Sequence, residues 1–137
     1  MYESQLLKVK IRAGKTDQVV EFLRTLQERG NQSLEAMRRE GMMVESMFLE
    51  RQNDADYLYY FVKAKSLLHA NEINLQSTDA LTLEIRKFIS ETWGHIVSPE
   101  PLLDLDLIPD EHIKPLRTRR KTKPSVAPSA LPHALSH

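Results

Sequence analysis

The chain of 137 residues contains no cysteine. Disulfide bonds, thiolate catalysis and cysteine-ligated zinc or iron–sulfur sites are therefore excluded. Its first residues lack the basic and then apolar layout of a signal peptide, and no apolar run approaches the ~20 residues that a membrane span needs. We expect a soluble, cytoplasmic protein.

Motifs for catalysis or cofactor binding are also missing. The turn at Gly14, Lys15 and Thr16 invites comparison with a phosphate-binding loop, but Val9 stands where such a loop needs its earlier glycine. We interpret it as a strand-to-helix turn. The five histidines, at positions 69, 95, 112, 133 and 137, include no pair spaced as two ligands on one helical face. The sequence predicts no metal and no cofactor.

Charge divides the chain into two parts. Residues 1–114 carry a net charge of −5, whereas residues 115–137 hold five basic residues and no acidic one. We predict a folded domain over residues 1–112 and a basic, proline-rich, disordered tail over residues 113–137. The tail is interpreted as a flexible extension or an interaction segment. We expect no nucleic-acid partner except through weak phosphate contacts of Arg117, Arg119, Arg120, Lys121 and Lys123.

Alternating apolar and polar side chains predict the strands. Residues 5–12 alternate Leu7, Val9 and Ile11 with basic residues, as a half-buried strand does. Residues 43–51 and 57–64 flank a polar turn and predict an antiparallel hairpin, and residues 102–108 alternate leucine with aspartate and predict a last strand. Helical spacing predicts one long helix over 17–40, a short helix over 66–71 and another helix from about 77 to 93. A break of the long helix at Gly30 is the alternative.

This order predicts an α+β fold of the ferredoxin-like βαββαβ type, a four-stranded antiparallel sheet with two helices on one face. The predicted strand over residues 57–64 begins Tyr-Leu-Tyr-Tyr-Phe-Val, with no polar face. A strand that is apolar on both faces must be covered on both. Because the helices cover only one face, we predict a homodimer in which two bare sheets meet around an internal space.

The chain also resembles a small bacterial family of uncharacterised proteins. The residues that carry the likeness are VKIRAGKT at 9–16, EGMMVESMFLER at 40–51 and DYLYY at 56–60, within a similarity over roughly residues 5–108. The resemblance implies the dimeric α/β-barrel class, in which two ferredoxin-like sheets pack face to face. Cofactor-independent monooxygenases, haem-degrading enzymes and sugar mutarotases belong to that class. No activity is carried over, because fold does not imply function.

Glu45 is the candidate catalytic residue, because a carboxylate among the apolar residues of a strand is costly unless it is paired. If Glu45 faces the space between the sheets, a basic residue of the first strand can pair with it and a tyrosine can hydrogen-bond it, as proton transfer would require. A structural ion pair across the dimer interface is the alternative. The candidate ligand-binding residues are Lys10, Arg12, Glu45, Tyr57 and Tyr59.

Three hypotheses for the function follow, of which a nucleic-acid-associated protein that works through its basic tail ranks last, because the rest of the chain is acidic. The leading one is a homodimeric barrel protein that binds or transforms a small organic molecule between its sheets. The alternative is a non-enzymatic dimeric interaction module whose sheet face is filled by side chains. A cavity of a few hundred Å³ with convergent polar groups distinguishes the first from the second.

Overall fold

A computed structural model describes residues 2–109 as an α+β fold of four strands and four helices. The elements are β1 (Glu3–Ile11), α1 (Thr16–Glu28), α2 (Gly30–Glu40), β2 (Met42–Arg51), β3 (Asp56–Ala64), α3 (Leu67–Gln76), α4 (Ala80–Thr92) and β4 (Trp93–Val97). The predicted domain boundary at residue 112 and the tail over 113–137 lie outside the described residues. Within residues 2–109, no helix has the length and apolar character needed to cross a membrane.

The strands form one antiparallel sheet in the order β2-β3-β1-β4. The predicted hairpin is confirmed as β2 and β3, and the first predicted strand as β1. Tyr60 lies opposite Leu7 on one side and Met47 on the other. Leu58, Tyr60 and Val62 are buried while the residues between them are half-buried, so β3 places its two sets of side chains on opposite faces.

The predicted helix over 17–40 is two helices, so the alternative of a break near Gly30 is confirmed. Arg29 ends α1 with φ −95° and ψ 41°, which interrupts the helical backbone, and α2 starts at Gly30. In the connection between β3 and β4, Ser66 accepts a hydrogen bond from the backbone N–H of His69 and caps α3. Asp79 caps α4 in the same way, since side-chain acceptors satisfy the free N–H groups of a helix start.

The prediction of a last strand at residues 102–108 is wrong. The fourth strand is β4, directly after α4, and residues 98–109 form no strand. Trp93 is 1% exposed and contacts the ring of Tyr60 edge-on, at 5.9 Å between centroids, so burial of this large ring accounts for the position of β4. The element order is βααββααβ and differs from the simple βαββαβ that was predicted.

The sheet has one face under the helices and one without them. The face under the helices, the helix face, holds the core: Leu7, Val9, Ile11, Leu58, Tyr60, Val62 and Trp93 with Val19, Leu67, Phe88 and Ile89. The opposite face, the open face, holds the alternate residues of the same strands: Ser4, Leu6, Lys8, Lys10, Phe48, Tyr57, Tyr59, Phe61 and Lys63. Helices α1, α3 and α4 contribute buried side chains to the core on the helix face, and α2 contacts these three helices. Among residues 2–109 the helices thus pack on the helix face and not on the open face.

Candidate functional site

Lysines and tyrosines lie side by side in the middle of the open face. Antiparallel pairing of β1 with β3 places Lys8 opposite Tyr59 and Lys10 opposite Tyr57. The ammonium group of Lys8 lies over the ring of Tyr57, 4.6 Å from its centroid, within the range of a cation–π contact. Three of the predicted ligand-binding residues, Lys10, Tyr57 and Tyr59, are thus brought together by one strand pairing.

Two carboxylates, one near the end of β2 and one in the β2–β3 turn, fix the two tyrosine hydroxyls. The Tyr57 hydroxyl donates to Asp54 Oδ2 at 2.9 Å, and the Tyr59 hydroxyl donates to Glu50 Oε1 at 2.6 Å. These hydrogen bonds raise the pKa of both tyrosines and lower the pKa of Asp54 and Glu50. The hydroxyls therefore stay protonated and engaged, and the rings are held in place as flat apolar surfaces.

The surroundings of this group on the open face are apolar. Phe48 lies opposite Tyr59 on β2 and is 61% exposed, and Val97 lies opposite Lys8 on β4 and is 47% exposed. Leu6 and Phe61, which face each other across β1 and β3, are half-buried. Exposed apolar side chains next to charged groups that are held in position are typical of a surface to which another molecule binds.

One end of the open face is crossed by residues 104–109. Lys63 Nζ contacts Asp104 Oδ1 at 2.6 Å and Asp106 Oδ2 at 3.0 Å, and the Ser4 hydroxyl donates to Asp104 at 2.8 Å. The Lys63 side chain is only 6% exposed, so the two carboxylates compensate a charge that would be costly to bury alone. This crossing leaves the end with Lys10 and Tyr57 uncovered.

The other two predicted site residues are not part of this group. Arg12 follows the last residue of β1 and is exposed, beside Gly94 at the start of β4. Glu45 lies on the helix face, where its Oε2 accepts a hydrogen bond from the buried Tyr60 hydroxyl at 2.7 Å. Tyr60 and Tyr59 point to opposite faces, so Glu45 faces away from Lys10 and Tyr59 and forms no ion pair with a lysine of β1.

Glu45 instead belongs to an acidic cluster between β2, β3 and the helices. Glu40, the last residue of α2, accepts a hydrogen bond from Asn74 Nδ2 at 3.3 Å. Sequence reasoning named Glu45 but missed Glu40, Tyr60 and Asn74 as its surroundings. The signal that could have found Tyr60 is its parity along β3, since it lies two residues from buried Leu58 and so on the same face.

Burial changes the ionisation of this cluster. Desolvation raises the pKa of Glu40 from 4.5 to about 7; the Asn74 hydrogen bond opposes the rise and the charge of Glu45 adds to it. Desolvation also raises the pKa of Glu45, against the hydrogen bond from Tyr60. Glu45 as a whole is one of the exposed residues of β2, although its carboxyl is hydrogen-bonded to the buried Tyr60. Desolvation and the charge of Glu45 raise the pKa of Tyr60 well above its usual range.

The described groove nearest in sequence to the acidic cluster is not lined by its carboxyls. A groove of about 280 Å³ lies nearby, between α2 and β2, and is lined by Leu34, Met37, Arg38, Gly41, Met42, Met43 and Lys65. Neither Glu40 nor Glu45 lines it, so the two carboxyls have no substrate space in this groove. Among residues 2–109 there is no group of three His, Asp or Glu side chains that could hold a metal ion.

Comparison with known proteins identifies a family. The model of a family described as a family of unknown function (DUF6176) matches residues 2–110. Searches of the curated proteins and of the solved structures found nothing that matches the chain.

Proposed function

We propose that this chain, which belongs to the family of unknown function DUF6176, forms a homodimer that holds a small organic molecule between the open faces of its two sheets. The observation that carries the proposal is the composition of the open face, where lysines, fixed tyrosine rings and exposed apolar side chains share one uncovered surface. The strand order β2-β3-β1-β4 supports the ferredoxin-like, dimeric α/β-barrel class as the architecture of the dimer.

Exposed apolar area supports the pairing of two copies. Phe48, 61% exposed, projects from the same face as half-buried Phe61 and Leu6. Fully burying one such side chain contributes about 1.5–3 kcal/mol. In a twofold dimer each side chain counts twice, because the same patch is buried on both copies. Two sheets that face each other in this way leave about 10 Å between their backbones, and that space is filled by side chains or by a ligand.

Charge on the open face supports a ligand in that space. The ammonium groups of Lys8 and Lys10 form no direct ion pair within residues 2–109, although the charges of Glu50 and Asp54 act on them from nearby. A twofold axis brings the lysines of both copies into one enclosed space, where ammonium groups without a directly contacting carboxylate are unfavourable. A bound anion compensates the positive charge of the lysines, and the tyrosine rings offer flat surfaces for the apolar part of the anion. We therefore expect a small organic anion with a planar apolar body.

The dimer is tested by analytical ultracentrifugation of the wild-type chain and of Phe48→Asp. We expect a wild-type dimer at micromolar concentration. In Phe48→Asp we expect the dissociation constant to rise at least ~100-fold, from the loss of two buried rings and the addition of two facing charges. Leu68→Asp is the matched control, because Leu68 is 66% exposed on α3, away from the open face. A wild-type monomer would refute the proposal.

The ligand is tested by native mass spectrometry of the protein purified from the cells that make it. We expect a mass above that of two chains, and its loss in Lys10→Met while the dimer persists. Lys87→Met is the control, since Lys87 is 75% exposed on α4 and pairs with Glu91 on the helix side. A dimer that retains no small molecule under any purification condition would favour the alternative, an interaction module whose sheet face is filled by side chains.

A further inference from the structure

We propose that residues 102–107, here called the leucine arm, pack on the open face of a second copy of this chain. The inference rests on the proposed function, because it assigns a further contact to the same dimer. It differs from that proposal in naming a segment outside the sheet as part of the interface, so that each copy contributes residues to the space between the two sheets.

The leucine arm is held to its own chain by its aspartates. Asp104 and Asp106 both contact Lys63, whose side chain is 6% exposed, and Asp104 also accepts from the Ser4 hydroxyl. Just after the arm, the backbone oxygen of Pro109 accepts a hydrogen bond from the Tyr2 hydroxyl at 3.2 Å. A buried lysine is costly unless it is paired, so these contacts define where the arm lies.

The same contacts direct the leucines away from the chain. Aspartates 104 and 106 point to the sheet, and Leu103, Leu105 and Leu107, which alternate with them, point outward. Leu102 has the parity of the aspartates but precedes the first ion pair, and it is exposed as well. Exposure is 89% at Leu102, 79% at Leu103, 79% at Leu105 and 99% at Leu107. This is the reverse of the usual arrangement, in which leucine is among the residues most often buried. Four leucines exposed together on a segment that ion pairs hold in place form a surface for another molecule.

A second copy is the occupant that the position of the arm favours. Lys63 and Ser4 belong to the open face, so the arm rises from the surface that carries Phe48, Phe61 and Tyr59. The arm therefore lies next to the apolar side chains of the open face, so one partner can cover both. Each chain carries both complementary parts, an apolar arm and an apolar face, as a self-complementary twofold interface requires.

The energetic test is the double substitution Leu105→Ser with Leu107→Ser in the full chain. We expect the dimer dissociation constant, measured by sedimentation, to rise at least ~100-fold, because four buried leucines per dimer are lost. The urea midpoint of the dissociated chain should not change, since these side chains contact little within one copy. Leu68→Ser on α3 is the control, because it removes one leucine that is 66% exposed and should leave the dimer intact.

The position of the arm is tested by cross-linking. The chain has no cysteine, so Leu105→Cys provides a single attachment site for a benzophenone maleimide. Mixed with isotope-labelled wild-type chain and irradiated, the probe should link to the labelled copy, at the tryptic peptide 40–51 that carries Phe48 or at the peptide 52–63 that carries Tyr57 and Tyr59.

The outcomes separate this inference from the proposed dimer. An unchanged dissociation constant in the double variant, or cross-links confined to one copy, would overturn the leucine arm as an interface. If Phe48→Asp still dissociates the dimer, the proposed function stands without the arm. If the wild-type chain is a monomer at micromolar concentration, both proposals are refuted. A wild-type monomer whose leucine arm binds a different protein would also overturn the inference, because its occupant would not be a second copy.

Discussion

The acidic cluster on the helix face predicts that the protein loses stability as pH rises from about 5 to 8. Desolvation raises the pKa of Glu40 in the folded state to about 7, from an ordinary value of 4.5. A carboxyl with a raised pKa binds its proton more tightly in the folded state than in the unfolded state. Its protonated form therefore contributes stability that is complete below pH 4.5 and is lost as pH rises through 7.

The magnitude follows from the difference between the two pKa values. Each unit corresponds to about 1.4 kcal/mol, so the full loss for Glu40 is about 3 kcal/mol. Glu40 is half-buried and partly screened by solvent, so we expect about 2 kcal/mol between pH 5 and pH 8. The pKa of Glu45 is raised in the same direction, so Glu45 adds to the loss of unfolding free energy of the wild type with rising pH. Carboxyls whose pKa is lowered, such as Asp106, act below this pH window.

Urea unfolding of Glu40→Gln at pH 5, 6, 7 and 8 measures the effect. The glutamine keeps the size of the side chain and an acceptor for Asn74 but has no charge to desolvate. We expect the variant to match the wild type at pH 5 within ~0.5 kcal/mol and to exceed it by about 2 kcal/mol at pH 8. Glu21→Gln is the control, because the Glu21 side chain is 76% exposed on α1.

Two results would contradict this reasoning. If Glu40→Gln were equally destabilised at every pH, the carboxyl would act through its hydrogen bond and not through its ionisation. If the wild type were most stable at pH 8 and the variant followed the same curve, the carboxyl of Glu40 would not be desolvated in the folded protein.

Three further substitutions test the packing and the helix caps by urea unfolding. Gly94→Ala should destabilise by about 1–3 kcal/mol, because a Cβ there would lie 2.8 Å from the backbone oxygen of Lys10. The pairing of β1 with β4 on either side limits how far the two strands can move apart. An unchanged urea midpoint would mean that β4 shifts freely. Gly30→Ala, the contrasting variant, should stabilise by about 0.4–1 kcal/mol, because a Cβ at this first position of α2 meets nothing within 4 Å. Asp79→Ala should cost about 1 kcal/mol, because the carboxylate accepts hydrogen bonds from two backbone N–H groups of α4, whereas Asp79→Asn keeps the cap and should lose less than half of that.

The strands and the two faces of the sheet could be predicted from sequence because strand side chains alternate with a period of two. Leu7, Val9 and Ile11 are buried and the lysines between them are not, as their alternation predicted. The same parity brings Tyr57 and Tyr59 to the face that carries Lys10. The α+β class and the antiparallel hairpin follow from such local patterns.

Register decided the environment of Glu45. The pattern of β2 shows that Glu45 alternates with its neighbours, but not which residues of β3 they meet. The structure pairs Glu45 with Val62 and places it diagonally beside Tyr60, on the helix face. The position of α2 and α3 then adds Glu40 and Asn74, which are distant in sequence. No local pattern encodes these distances, so the acidic cluster could not be predicted.

The fourth strand shows the same division between local pattern and tertiary contact. Residues 102–108 alternate as a strand does, and the sequence by itself determined that they expose one apolar and one acidic side. Whether such a segment joins a sheet depends on what the sheet edge already holds. Trp93, buried against Tyr60, occupies that edge with β4, and Lys63 binds the aspartates across the open face instead. Alternation is a property of neighbouring residues, whereas competition for a sheet edge is a property of the folded chain.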